Sequence, residues 1–186
     1  MKLHDTEVSS LKALLFLLGI FLTVMPAMGQ MISNPIPPVP EATAVGGAYT
    51  AVATGPAACF WNPSGLAYTK GTRGSFTYHQ PWGMAFLTHL SGAVTSELPR
   101  KAGSVAISYQ TLGTRSGGTS LSTEGELALS HGILLQEDIH TNLAIGYSLK
   151  LITWSLGTSV AGNSGEVDLG SAATFGLDVG LSLIHI

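Results

Sequence analysis

The chain has 186 residues, of which 45% are hydrophobic and only 10% charged, with a net charge of −3. Ordinary globular domains carry about 25% charged residues, so this chain is short of material for a water-facing surface, and disorder would need the opposite balance. The acidic sign excludes the basic field that a nucleic-acid partner requires.

Leu11 to Met25 is an apolar run whose only charge is Lys12. It is shorter than the ~20 residues of a comfortable transmembrane helix and matches the core of a secretory signal peptide. Pro26 ends it, and Ala27-Met28-Gly29 supplies the small-x-small pattern of a cleavage site. A signal peptide over residues 1–29 is therefore predicted, with Gln30 as the new N-terminus and a retained anchor as the competing reading. No Cys follows the site, so a lipoprotein anchor is not indicated. Asp5 and Glu7 precede the core, which suggests that translation starts nearer Lys12.

Residues 30–72 read as a Pro-rich linker followed by a plug segment. Prolines at 35, 37, 38 and 40 forbid helix and central strand there. Glu41 to Ala53 is rich in Ala and Gly and is expected to form a short helix, stopped by Thr54-Gly55-Pro56. Asn62-Pro63-Ser64-Gly65 is a turn, because Asn and Gly accept special dihedrals and Pro fixes one. Gly46-Gly47 allows either a close backbone approach to a wall or a flexible hinge. Cys59, the single cysteine, reads first as a small buried side chain, with interchain pairing as the alternative.

From about Arg73 the hydrophobic period becomes two. Leu143, Ile145, Tyr147, Leu149 and Leu151 share one face of a strand, opposite Ala144, Gly146, Ser148 and Lys150. Phe175, Leu177, Val179, Leu181 and Leu183 share another, opposite Gly176, Asp178, Gly180 and Ser182. Val105, Ile107 and Tyr109 alternate likewise, as do Phe76 and Tyr78, while Leu127, Leu129 and Ile133 do so less cleanly and Met84 to Val94 is mixed. Turn clusters at 80–83, 98–101, 113–118, 136–141 and 157–165 separate these runs. The pattern predicts an antiparallel meander of about six strands over residues 73–186.

The face opposite the large apolar side chains decides between two kinds of meander. In a soluble sandwich it should carry Lys, Glu, Arg, Thr and Gln. Here it carries Gly, Ala, Ser and Thr, which suits a crowded lumen, while the uncharged apolar face suits lipid. Strands of ~10 residues fit a bilayer crossing, and closure keeps backbone groups paired. The expected class is all-β: an antiparallel transmembrane barrel, partial, with a short N-terminal helical or plug segment after the signal peptide. Tyr109, Tyr147 and Trp154 are candidates for aromatic girdles.

The run Gly46-Gly47-Ala48-Tyr49-Thr50-Ala51-Val52-Ala53, followed by Phe60-Trp61-Asn62-Pro63-Ser64-Gly65-Leu66-Ala67, resembles the start of the PorV/PorQ family, which is related to the FadL-type long-chain fatty acid transporters. Gly146-Tyr147-Ser148-Leu149-Lys150 and Asp178-Val179-Gly180 look like two of the family's strands. The specific part of the match covers about residues 41–67, and its motif residues are Gly46, Gly47, Tyr49, Trp61, Asn62, Pro63 and Gly65. The resemblance implies an outer-membrane barrel whose N-terminal segment lies in or at the mouth of the lumen. Thr54-Gly55-Pro56 stands where relatives carry acidic residues, so ionic contacts made by those acids do not transfer. The family's barrel has more strands than this chain holds, and Ile186 is not the aromatic residue on which outer-membrane strands usually end, so the chain reads as part of a longer barrel.

No constellation for catalysis stands out. The histidines, His4, His79, His89, His131, His140 and His185, form no close metal-ligand spacing. Neither a Gly-x-Ser-x-Gly elbow nor a phosphate loop is present. His79 and His89 read as lumen-facing polar residues, and Trp61-Asn62-Pro63 as a structural staple, with a ligand contact as the alternative. The chain is thus expected to be a non-enzymatic outer-membrane protein without cofactor or metal. Its partners would be outer-membrane lipid and either proteins of type IX secretion, which it would serve as a structural or adaptor barrel, or hydrophobic small molecules passing through a FadL-like channel. A soluble secreted β-domain that binds other proteins is the third alternative.

Overall fold

A computed structural model describes residues 39–160 and 166–185, with the backbone alone at 158–160, 166–168 and 185. All of them fall in one compact unit, Ser33–Ile186. The signal peptide and most of the Pro-rich linker lie outside the described residues.

Six strands form one antiparallel sheet. They are β1 (Thr72–His79), β2 (Leu87–Glu97), β3 (Ser104–Ser116), β4 (Thr119–Glu137), β5 (Thr141–Leu156) and β8 (Ser171–His185), each paired with the next in chain order. Between β5 and β8 the chain makes a separate two-stranded ribbon from β6 (Thr158–Val160) and β7 (Glu166–Asp168). The meander matches the sequence expectation, and the ribbon is an addition to it. Strands run longer than expected, with β4 at 19 residues. The stretch from Gly113 to Ser116, read as turn, continues β3, and the reversal is left to Gly117 and Gly118, both at left-handed φ. Bulges interrupt the β3–β4 register at Thr114/Arg115 and the β4–β5 register at Leu134/Gln136.

The N-terminal segment lies across one face of this sheet. Only Pro40–Ala44 is helical (α1), not Glu41 to Ala53. Pro40 is tolerated because it occupies the first turn, where no donor is needed. Turns replace the helix beyond Ala44, since Gly46 and Gly47 both take left-handed φ, 63° and 84°. A 3-10 turn, Gly55–Ala57, then leads into α2 (Ala58–Trp61) and a second 3-10 run, Pro63–Tyr68. The core sits between this segment and the sheet: Ala58, Cys59 and Leu66 pack on Ala93 of β2 and Ala106 of β3, with Phe60 at the edge.

The two faces of the sheet differ in an order opposite to that of a water-soluble sandwich. The face toward the N-terminal segment buries Ser91, Ala93, Thr95, Ala106, Ser108, Ala128, Ser130, Ala144 and Ser148. The opposite face leaves Phe76, Ile107, Leu129, Leu149, Leu177 and Val179 exposed, Leu149 by 57% and Phe175 by 75%. Tyr109 and Tyr147 lie on that apolar face. Trp154 does not: it pairs with Glu124, two residues from buried Glu126, and so belongs to the inner set. Its position one residue out of step with Leu149, Leu151 and Thr153 fixes this by strand parity. Among the described residues no helix is long and apolar enough to cross a membrane, which says nothing about crossing by strands.

Candidate functional site

The conspicuous contact is the one between Asn62–Ala67 and a row of glycines on three neighbouring strands. Gly132 of β4 pairs with Gly146 of β5, and Gly146 with Gly180 of β8. The three stand side by side on the inner face, and the 3-10 run lies directly on them. A β-carbon on Gly132 would come within 2.9 Å of Ala67 N and of Leu66 Cβ. One on Gly146 would overlap the carbonyl of Pro63, and one on Gly180 would overlap Asn62 Oδ1. Glycine here answers to space, because only its absent side chain lets backbone meet backbone.

Asn62 ties the arrangement together. Its Oδ1 accepts from Ser64 N at 3.2 Å and from Ser64 Oγ at 2.7 Å, capping the 3-10 run that Pro63 begins. Its Nδ2 donates to Thr50 O at 3.2 Å in the preceding turn and to Leu181 O at 3.4 Å on β8. One buried amide therefore joins the turn, the 3-10 run and the sheet. Gly65 closes the other side: a β-carbon there would overlap Ala53 O. Tyr49 meets Trp61 edge to face, with ring centroids 6.1 Å apart. Gly47 lies beneath that indole, while Gly46 faces open space. The structure thus brings Gly47, Tyr49, Trp61, Asn62, Pro63 and Gly65 into one packed unit and leaves Gly46 as a turn residue beside it.

Beside this unit a cavity of about 410 Å³ lies between Thr50, Trp61, Asn62 and Pro63 and residues Leu177 to Leu181 of β8. The Trp61 indole N–H is buried with no partner among the described residues. Cys59, on α2, is buried against the sheet, and loss of solvation pushes its thiol up to about 12 from an ordinary 9.0. It stays a neutral thiol, without the thiolate character of a nucleophile.

Further along the inner face, four strands contribute a connected polar network. Gln110 Nε2 of β3 donates to Glu126 Oε1 of β4 at 3.1 Å. Lys150 Nζ of β5 lies 3.3 Å from Glu126 Oε1 and 2.7 Å from Asp178 Oδ2 of β8. Glu126 and Gln110 are buried, and Lys150 nearly so. His79 and His89 pair across β1 and β2 on the same face, with ring centroids 4.9 Å apart. The sequence marks Lys150 and Asp178 as charges on a small-residue face, but Glu126 escapes notice because it adjoins Gly125 and Leu127 in a stretch of uneven alternation. The glycine row was also missed; its members share a face, but only the register reveals that they are neighbours. Among the described residues no group of three His, Cys, Asp or Glu side chains is placed to hold a metal ion.

No family model, curated protein or solved structure matches the chain.

Proposed function

We propose that this chain is part of an outer-membrane β-barrel of the PorV/PorQ type, with a structural or adaptor role in type IX protein secretion. The observation that carries the membrane reading is the inverted sheet: large apolar side chains stand exposed on one face, while small and polar ones are buried on the other. An exposed apolar face of this extent is costly in water and suits hydrocarbon. The free edges of β1 and β8 would be paired within the closed barrel, since lipid offers no hydrogen bonds to open edges. In this reading the N-terminal segment is the plug, docked on the glycine row.

The adaptor role is favoured over a hydrophobic conduit by what lines the inner face. Glu126, Lys150 and Asp178, with the amide of Gln110, would present charged and polar groups to anything passing the plug. The cavity beside Trp61 and Leu177 is the observation that keeps a FadL-like channel for long-chain fatty acids or other hydrophobic molecules as the second reading. Alkaline extraction of cell membranes tests the membrane assignment. The protein should stay in the pellet and migrate faster on gels before heating than after, whereas release into the aqueous fraction would overturn it. Loss of secreted cargo on deletion, with uptake of long-chain fatty acids unchanged, separates the adaptor from the channel.

A further inference from the structure

We infer that the end of the sheet where β2 turns into β3 holds a binding site for the phosphate of an anionic phospholipid; the inference rests on the membrane reading above. A cavity of about 750 Å³ opens there, between the foot of the N-terminal segment and the ends of β2, β3 and β4. Lys70, Arg100 and Lys101 line it, against the carboxylates of Glu97 and Glu137. Both carboxylates are already engaged. Glu97 accepts from Gly71 N at 2.8 Å and lies 3.5 Å from Lys70, while Glu137 lies 3.7 Å from Lys101. Arg100 has no ion-pair partner among the described residues. Three cations against two carboxylates leave one positive charge, the complement of a phosphodiester, and a guanidinium fork matches phosphate oxygens.

An independent observation points into the same cavity. Thr69 lines it and is only 2% exposed, yet its hydroxyl has no hydrogen-bond partner among the described residues. A buried hydroxyl left unpaired is costly, and a phosphate oxygen brought up to it would accept its hydrogen bond. Leu134 and Leu135, at the end of β4, also line it, and Leu135 is exposed, as are Leu127 and Leu129 further along the same strand. A lipid seated with its phosphate among the cations would lay its first acyl carbons along these leucines. Free phosphate would leave them uncovered, which selects the lipid as the source.

The test is native mass spectrometry of the full chain in detergent micelles, titrated separately with phosphatidylglycerol, phosphatidylcholine and inorganic phosphate. Phosphatidylglycerol should be retained at about tenfold lower concentration than phosphatidylcholine, the scale of one lost charged contact. Arg100→Gln with Lys101→Gln should remove the preference, Thr69→Val should weaken it, and Arg100→Lys should restore part of it. Equal retention of both lipids, retention undiminished in the double variant, or displacement by inorganic phosphate would each overturn the site. Heat-modifiable gel mobility, measured on the same samples, separates the two failures. If it is present without lipid preference, only this inference falls; if the chain is soluble without detergent, the membrane reading falls first.

Discussion

Asn62 makes four hydrogen bonds from one buried amide, and three elements depend on it. Asn62→Ala should cost about 1–3 kcal/mol, because it strands buried partners as well as removing bonds. The readout is a lower yield of folded, heat-modifiable protein. Gly146→Ala should be at least as damaging, by about 1–3 kcal/mol of overpacking, since its new methyl meets the Pro63 carbonyl. Gly46→Ala should cost only about 1 kcal/mol, for its left-handed φ alone, because nothing stands nearby. Urea unfolding midpoints rank the two. Cys59 gives a pH signature. Its thiol holds its proton more tightly folded than unfolded, so its contribution to stability is complete below about pH 9 and is lost as pH rises toward 12. The unfolding midpoint should fall over that window, and less steeply in Cys59→Ala. At this scale the motif from Tyr49 to Gly65 was legible, because Trp-Asn-Pro-Ser-Gly is unusual chemistry in a short space. Its seat was not. A glycine on a face of Gly, Ala and Ser looks like its neighbours until the register places it opposite two others.

Among the elements, β5 and β8 were legible nearly residue for residue, since period-two alternation with a charge-free apolar face has few other readings. The helix from Glu41 to Ala53 was overextended because alanine-rich composition spoke for helix, while two glycines at left-handed φ ended it. Trp154 is a girdle candidate by chemical character, but the parity of its own strand puts it with the inner set. Of the ribbon, β6 lies within the stretch 157–165, whose Gly and Ser speak only for a turn, and β7 begins just after it. The inner network gives this scale its prediction. Lys150→Met leaves Glu126 buried without its cation and should destabilise by about 3–5 kcal/mol. Adding Glu126→Gln should recover much of the loss, because the remaining group is neutral and Gln110 can still bond it. Chemical unfolding of the two variants in the same micelle decides it.

For the whole molecule, the deciding matter is which solvent meets the apolar face. Leu129→Arg, at the middle of that face, should cost about 2–4 kcal/mol if hydrocarbon surrounds it, and little if water does. The inverted order of faces was readable from composition and alternation together, since the chain has too little charge to clothe a soluble sheet. Closure was not readable in the sequence, and in the described sheet β1 and β8 stand as edges that do not pair with each other. The most direct measurement places a nitroxide on Leu149→Cys in the membrane-reconstituted protein and compares relaxation by oxygen with relaxation by a water-soluble nickel complex. Strong oxygen and weak nickel effects are expected at this position. A nickel effect as strong as at an exposed turn residue such as Gly117→Cys would contradict it.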